Sequence, residues 1–289
     1  MTILIAVGIM VGLTFLLTTF LVLANKKFHV DEDRRIDIVT DMLPGSNCGA
    51  CGLPGCRAFA EALVQKKAMP VQCTVSNHET HIRIAQLIGV EVGVQEKLVA
   101  RLACAGGSNV AYRQASYMGL QSCRAAALMA GGDKRCHWGC LGFGDCEKAC
   151  DFSAIHMNEH GLPIVNEETC TACGDCVDVC PKDLFSLHPV SHHLWVACKN
   201  QQAGDEVLSD CEVACTACGR CAIDSPDDLI IMKHNLAVID YSAFKANTMK
   251  SIQRCPTGAI VWIETNGAVV KGAAAAKIIR KAALKILPT

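Results

Sequence analysis

Cys170-Thr-Ala-Cys173-Gly-Asp-Cys176-Val-Asp-Val-Cys180-Pro181 is the stretch on which the fold turns. It is the C-x2-C-x2-C-x3-C-Pro run by which ferredoxin-type chains hold a [4Fe–4S] cubane. Three close thiolates wrap one cluster, and the fourth reaches across to a second. Upstream, Cys136-His-Trp-Gly-Cys140-Leu-Gly-Phe-Gly-Asp-Cys146-Glu-Lys-Ala-Cys150 keeps the terminal C-x3-C but stretches its early part, and Asp151 stands where proline normally follows. Phe152 to Ile155 reads as the strand after the last cysteine. By the crossed-ligand rule, Cys136, Cys140 and Cys146 share a cluster with Cys180, while Cys170, Cys173 and Cys176 share one with Cys150.

A second set repeats the first. Thr171-Ala-Cys-Gly174 and Thr216-Ala-Cys-Gly219 are the same tetrapeptide, and Cys123-x12-Cys136-x3-Cys140 matches Cys198-x12-Cys211-x3-Cys215. Cys215, Cys218, Cys221 and Cys255 make one group, with Cys255-Pro256 delivered from downstream of an inserted hairpin over 229–240. Cys104, Cys123, Cys198 and Cys211 are left over. They suffice for one further cubane, for a total of five, with three to four as the floor. The alternative for one or two of them is a buried inert thiol. Ala-Gly-Gly after Cys104 marks a backbone turn suited to a ligand.

Nearer the N-terminus, Leu43-Pro-Gly-Ser-Asn47-Cys48-Gly-Ala-Cys51-Gly-Leu-Pro-Gly-Cys56, with Cys73 later, spaces four cysteines as C-x2-C-x4-C-x16-C. Its glycines permit turns that aim amide N–H groups at an anionic cluster. A helix over 57–67, with Phe59, Leu63 and Val64 on one side, brings Cys73 back to the first three. A four-cysteine zinc site is the alternative here, although zinc favours paired C-x2-C knuckles.

The chain has 289 residues, formal charge −1 and only 5% aromatic residues. That balance offers nothing to nucleic acid. The thin supply of large core side chains suits small domains stapled by metal. A disulfide scaffold is disfavoured because C-x2-C-x2-C triplets are too crowded to pair among themselves. Residues 3 to 24 are uncharged and almost wholly apolar, enough to span a bilayer, and Lys26-Lys27 and Arg34-Arg35 follow. The positive-inside rule then puts the cysteine-bearing part of a single-pass protein on the cytoplasmic side. A cleaved signal peptide is the alternative, against which stand the long apolar run and the absence of a basic leader.

No G-x-G-x-x-G, Walker loop, nucleophile elbow or C-x2-C-His is present, so no catalytic residue is assigned. His188, His192 and His193 read as a solvent-facing loop, with a metal trio as the alternative. His137, beside Cys136, is placed to tune a cluster by hydrogen bonding. In the tail, Lys277, Lys281 and Lys285 recur every fourth residue with Arg280 beside them, and Ile279, Ala283 and Ile286 lie opposite. That pattern predicts a basic amphipathic helix, touching a membrane or acidic partner, or else a frayed end.

From residue 1 to about 262 the chain resembles the B subunit of Rnf-type ion-translocating electron-transport complexes, in a long form with extra clusters. The resemblance rests on the apolar N-terminus, the Leu43–Cys56 run with Cys73, Gly139-Cys140-Leu-Gly-x-Gly144-Asp145-Cys146 with Cys150, Val196-Ala-Cys198 and Cys211-x3-Cys215. It implies an electron-relay subunit of a complex that couples electron flow between reduced ferredoxin and NAD to Na+ or H+ movement. Its partners would be soluble ferredoxin and the other membrane and peripheral subunits. Asp151, and the missing Cys-Pro directly after Cys221, depart from the pattern. The expected fold is α+β: a membrane anchor (1–26), a small 4Fe–4S domain (31–90), ferredoxin-like two-cluster regions (95–190 and 191–265) and the tail (266–289). Two rivals remain open, a subunit of another anchored oxidoreductase and a non-redox metal-binding adaptor.

Overall fold

The computed structural model describes residues 1–28, 33–226, 228–243, 249–284 and 286. Helix α1 runs Thr2–Phe28. Its apolar side chains, from Leu4 through Leu23, are exposed along the whole helix. It is long and apolar enough to cross a membrane over Leu4–Phe28. The hydroxyls of Thr14, Thr18 and Thr19 donate back to carbonyls one turn earlier, so their polar atoms are satisfied within the helix. A helix that is hydrophobic all round and covered by nothing calls for lipid or for other helices.

Three helices form the next unit: α2 (Arg34–Met42), α3 (Cys56–Val64) and α4 (His78–Ile88). Asp33 caps α2 by accepting from the Arg35 amide at 2.9 Å. Asn77 caps α4 through the Thr80 amide at 2.8 Å, and Gly89 ends it in the left-handed conformation. Val39, Phe59, Leu63, Ile84 and Ile88 interlock at the centre. The expected helix over 57–67 is thus present but ends at Val64. Helix α2 begins inside the charged stretch 31–35, whose Asp31 and Glu32 lie outside the described residues. Asp33 as cap and Ile36, Val39 and Leu43 at helical spacing were the signals for it.

From residue 98 the chain builds one strand pattern twice. β1 (Leu98–Leu102) pairs antiparallel with the distant β4 (Phe185–Pro189) and frames the hairpin β2 (Ile155–Met157) and β3 (Pro163–Val165) in sequence. β5 (Leu194–Val196) likewise pairs with the distant β8 (Ile260–Ile263) and frames the hairpin β6 (Ile230–Lys233) and β7 (Leu236–Ile239). The hairpin expected over 229–240 is therefore present. β9 (Val269–Lys271) adds an edge to β8. Among the helices, α5 covers Cys123–Leu128, and α6 (Asp145–Lys148), α7 (Asp175–Asp178) and α8 (Arg220–Ile223) are single turns. Gly144, Gly174 and Gly219 open these three turns in the left-handed region, and each turn buries its second residue, Cys146, Cys176 or Cys221. The repeated tetrapeptide takes one backbone shape twice, with φ of +56° at Ala172 and +57° at Ala217.

The tail does not form the expected helix. Residues 272–284 run as an irregular strap. The amides of Ala273, Ala274 and Ala276, which a helix would keep for itself, donate to Gln253 Oε1, Gln253 O and Pro256 O. Arg280 pairs with Glu212 at 3.0 Å, and Ile278 packs on the core around Cys211. These tertiary partners override alanine's helix propensity. Lys285, the last of the expected basic stripe, lies outside the described residues. The strap begins at Gly272, where a Cβ would collide with the Ile252 carbonyl oxygen. We expect Gly272→Ala to lift the strap, at a cost of about 1–3 kcal/mol. Hydrogen exchange should then quicken at Ala273, Ala274 and Ala276, and unchanged protection there would contradict the strap.

Candidate metal centres

Each of four pockets is lined by four cysteines. Cys150, Cys170, Cys173 and Cys176 line one; Cys123, Cys140, Cys146 and Cys180 the next. Cys104, Cys136, Cys198 and Cys211 line a third; Cys215, Cys218, Cys221 and Cys255 a fourth. Each pocket thus gathers four thiols around one small space, the same arrangement four times over. In the three-helix unit, Cys51, Cys56 and Cys73 pack against one core, and Cys48 lies three residues from Cys51 in the same loop. Asn47, at φ +50°, accepts from the Cys56 amide at 2.8 Å and so ties the two ends of that loop together.

The outer pockets follow the sequence grouping, and the two between them correct it. Cys123 takes the place expected for Cys136 beside Cys140, Cys146 and Cys180. Cys136 joins Cys104, Cys198 and Cys211 instead. The chain turns between Cys136 and Cys140, with the Gly139 amide donating to Cys136 O at 3.0 Å, so the two side chains serve neighbouring pockets. Cys211 and Cys215 divide in the same way. The structural counterpart of Cys198 is accordingly Cys104, each lying two residues beyond its strand β5 or β1. Cys104 Sγ accepts from the Gly106 and Cys140 amides, and Cys198 Sγ from the Asn200 and Cys215 amides, all at 3.4 Å. Cys104, Cys136, Cys198 and Cys211 thus form a pseudo-twofold centre between the two copies of the strand pattern, with Cys136 in the place that sequence counting gives to Cys123.

These donors suit an anionic iron–sulfur group. Further amides reach Cys150 Sγ from Ala154 at 3.3 Å and Cys180 Sγ from Leu184 at 3.4 Å. Such bonds favour the thiolate and tune a bound cluster. Without metal the thiols resist ionisation. Burial, reinforced by neighbouring thiols, pushes those of Cys140, Cys146, Cys176, Cys198, Cys211 and Cys221 up to about 12. Burial likewise pushes Cys173 up to about 11. Metal binding must therefore drive off the protons. Among the described residues no three Cys, His, Asp or Glu side chains converge on a single ion. Cysteines that ring a cavity fit a polynuclear cluster better than one zinc, whose sulfur ligands would lie ~2.3 Å from it.

The histidines depart from expectation. His188 and His192 do not face solvent as a loop. His188 packs on Trp195 at 4.9 Å, and His192 stacks on Tyr241 at 3.7 Å. Burial holds both imidazoles below the usual range, so they are neutral aromatic partners where β4 meets β5. His193 donates to Ile263 O at 2.7 Å. His137 is exposed, and its backbone carbonyl, engaged by Lys182 at 2.7 Å, makes the contact rather than its ring.

Single-turn helices opened by glycine and cysteine-lined pockets framed by short antiparallel pairs define an iron–sulfur protein of the ferredoxin type. Family models agree: residues 43–75 match an Fe-S cluster domain and 135–185 a 4Fe-4S dicluster domain. The chain is 40% identical over 258 residues to the B subunit of the Na(+)-translocating ferredoxin:NAD(+) oxidoreductase complex of Acetobacterium woodii, covering 89% of this chain and 77% of that one. It is 38% identical over 252 residues to the proton-translocating counterpart of Clostridium ljungdahlii, covering 86% and 88%. With the B subunit of the ion-translocating oxidoreductase complex of Methanosarcina acetivorans it shares 36% identity over 208 residues, covering 72% and 79%. The chain belongs to this family, the B subunits of Rnf-type ion-translocating oxidoreductase complexes. It is therefore one component of a multi-subunit, membrane-associated enzyme and has no bond-making catalytic residues assigned to it.

Proposed function

We propose that the chain is the electron relay of an anchored complex that couples electron flow between reduced ferredoxin and NAD to Na+ or H+ translocation. Its twenty cysteines hold five [4Fe–4S] clusters, and residues 98–263 form two ferredoxin-like units joined through the Cys104/Cys136/Cys198/Cys211 centre. The carrying observation is the run of four pockets, each lined by four cysteines, in which the Cys140 and Cys215 amides each touch a sulfur of the neighbouring quartet. The clusters supply the one-electron chemistry. The chain's own residues hold them, surround them with N–H donors and exclude water. Cys218, the one exposed cysteine among the described residues, brings the last quartet to the surface, where electrons can pass to another protein. Helix α1 anchors the subunit, and Lys26 and Lys27 at its end keep the cysteine-bearing part on the cytoplasmic side, where ferredoxin reaches it.

The test is iron and acid-labile sulfide per chain, after anaerobic purification, with EPR of the dithionite-reduced protein. About 20 Fe with matching sulfide and interacting paramagnetic signals is the expected result. Zinc without sulfide, or a visible spectrum that dithionite does not bleach, would leave a non-redox adaptor.

A further inference from the structure

We propose that Lys134 is a built-in electrostatic tuner of the central Cys104/Cys136/Cys198/Cys211 group, making it the relay's electron-accepting centre with a potential raised by one buried cation. This rests on the iron–sulfur reading above.

Lys134 is 6% exposed and lines the central pocket. Its Nζ donates to Gly106 O, in the turn that wraps Cys104. Among the described residues no carboxylate pairs with it. Of the two acidic side chains flanking this stretch, Asp210 pairs with Arg135 and Asp133 turns its Oδ2 to Arg113 while its buried Oδ1 has no hydrogen-bond partner, and neither forms an ion pair with Lys134. A buried ammonium without a counter-ion is expensive. An iron–sulfur group on four thiolates is a net anion and provides that missing charge.

The fold does not require a lysine here. The pseudo-twofold relation aligns Cys136-x3-Cys140 with Cys211-x3-Cys215, which puts Ser209 opposite Lys134. Ser209 is exposed and its hydroxyl donates to Glu206 O. The same turn is therefore built on the other side without a buried cation. Lys182 and Lys199, which also border these pockets, are only half-buried, so water screens their charge. Reduction adds one electron to the group and makes it more negative. A fixed ammonium in a dry setting stabilises that state most, because little solvent screens it. Of the four groups, the central one has this buried cation against its wall, and it lies between the two units.

The experiment compares Lys134→Met and Lys134→Arg in the intact, anaerobically purified chain, by iron content and EPR-monitored redox titration. In Lys134→Met one cluster signal should shift downward while the others hold. The shift should be at least a tenfold fall in its reduced-to-oxidised ratio at a given potential, about 59 mV for a one-electron couple. Lys134→Arg should restore it. Loss of about four irons in the Met variant alone would also support a charge requirement. The proposal fails if an iron-replete Met variant keeps every potential, or if the Met and Arg variants behave alike. Absence of sulfide from the wild-type chain would instead sink the relay reading itself.

Discussion

Cys123→Ala should remove about four irons per chain, Cys180→Ala should remove the same ones, and the double variant should lose no more. Cys136→Ala should take a different cluster, shared with Cys198→Ala and Cys211→Ala. The reasoning is geometric. Cys123, Cys140, Cys146 and Cys180 line one pocket, and Cys104, Cys136, Cys198 and Cys211 another. The Cys146 thiol is pushed up by burial and then by the neighbouring Cys123 and Cys180. Counting along the motif gives the opposite pairing, Cys136 with Cys180. Double-variant iron counts therefore decide between the two. If Cys136→Ala with Cys180→Ala loses only one cluster's iron, the pocket grouping is wrong. Alanine is the right replacement, because a serine oxygen can still reach iron.

Stripping iron anaerobically should unfold residues 98–263 while leaving α1, and most of α2 to α4, helical. The strands of this region span three to five residues and pair in sheets of two or three. Isolated two-stranded ribbons are marginal in water, and one-turn helices do not stand alone. The cores include the proposed ligands. Cys146, Cys170 and Cys176 are members of the first, Cys221 of the second and Cys211 of the third. Metal that gathers those thiols supplies folding free energy. The three-helix unit has longer helices and a centre of Val39, Phe59, Leu63, Ile84 and Ile88. Hydrogen exchange with and without iron reads both parts at once. Slow exchange persisting across β1 and β4 in the iron-free chain would show that apolar packing alone holds the fold.

The apolar N-terminal helix, the ferredoxin-type motif, the Cys170 and Cys215 groupings and the hairpin between Cys221 and Cys255 are all legible in the order of residues. Each depends on contacts within a few residues or on simple length. Gly174 and Gly219 set the same turn wherever their tetrapeptide occurs, so the spacing of three thiols is local chemistry. The α2 helix is harder to read although its Asp33 cap is visible, because its charged first turn resembles a linker. The tail misleads in the other direction. Its alanines favour a helix, but Gln253 and Pro256 compete for the same amides.

What kind of group the chain holds, and how many thiols are available for it, follows from the amino-acid order, since residue type and short spacing govern ligand chemistry. Which thiols share a pocket follows from tertiary contacts alone. One turn at Gly139 sends Cys136 and Cys140 to different neighbours, and the β1–β4 and β5–β8 pairings bring Cys104 and Cys198, 94 positions apart in the chain, to one centre. Such closures depend on where two folded units meet, and no spacing within either unit records that.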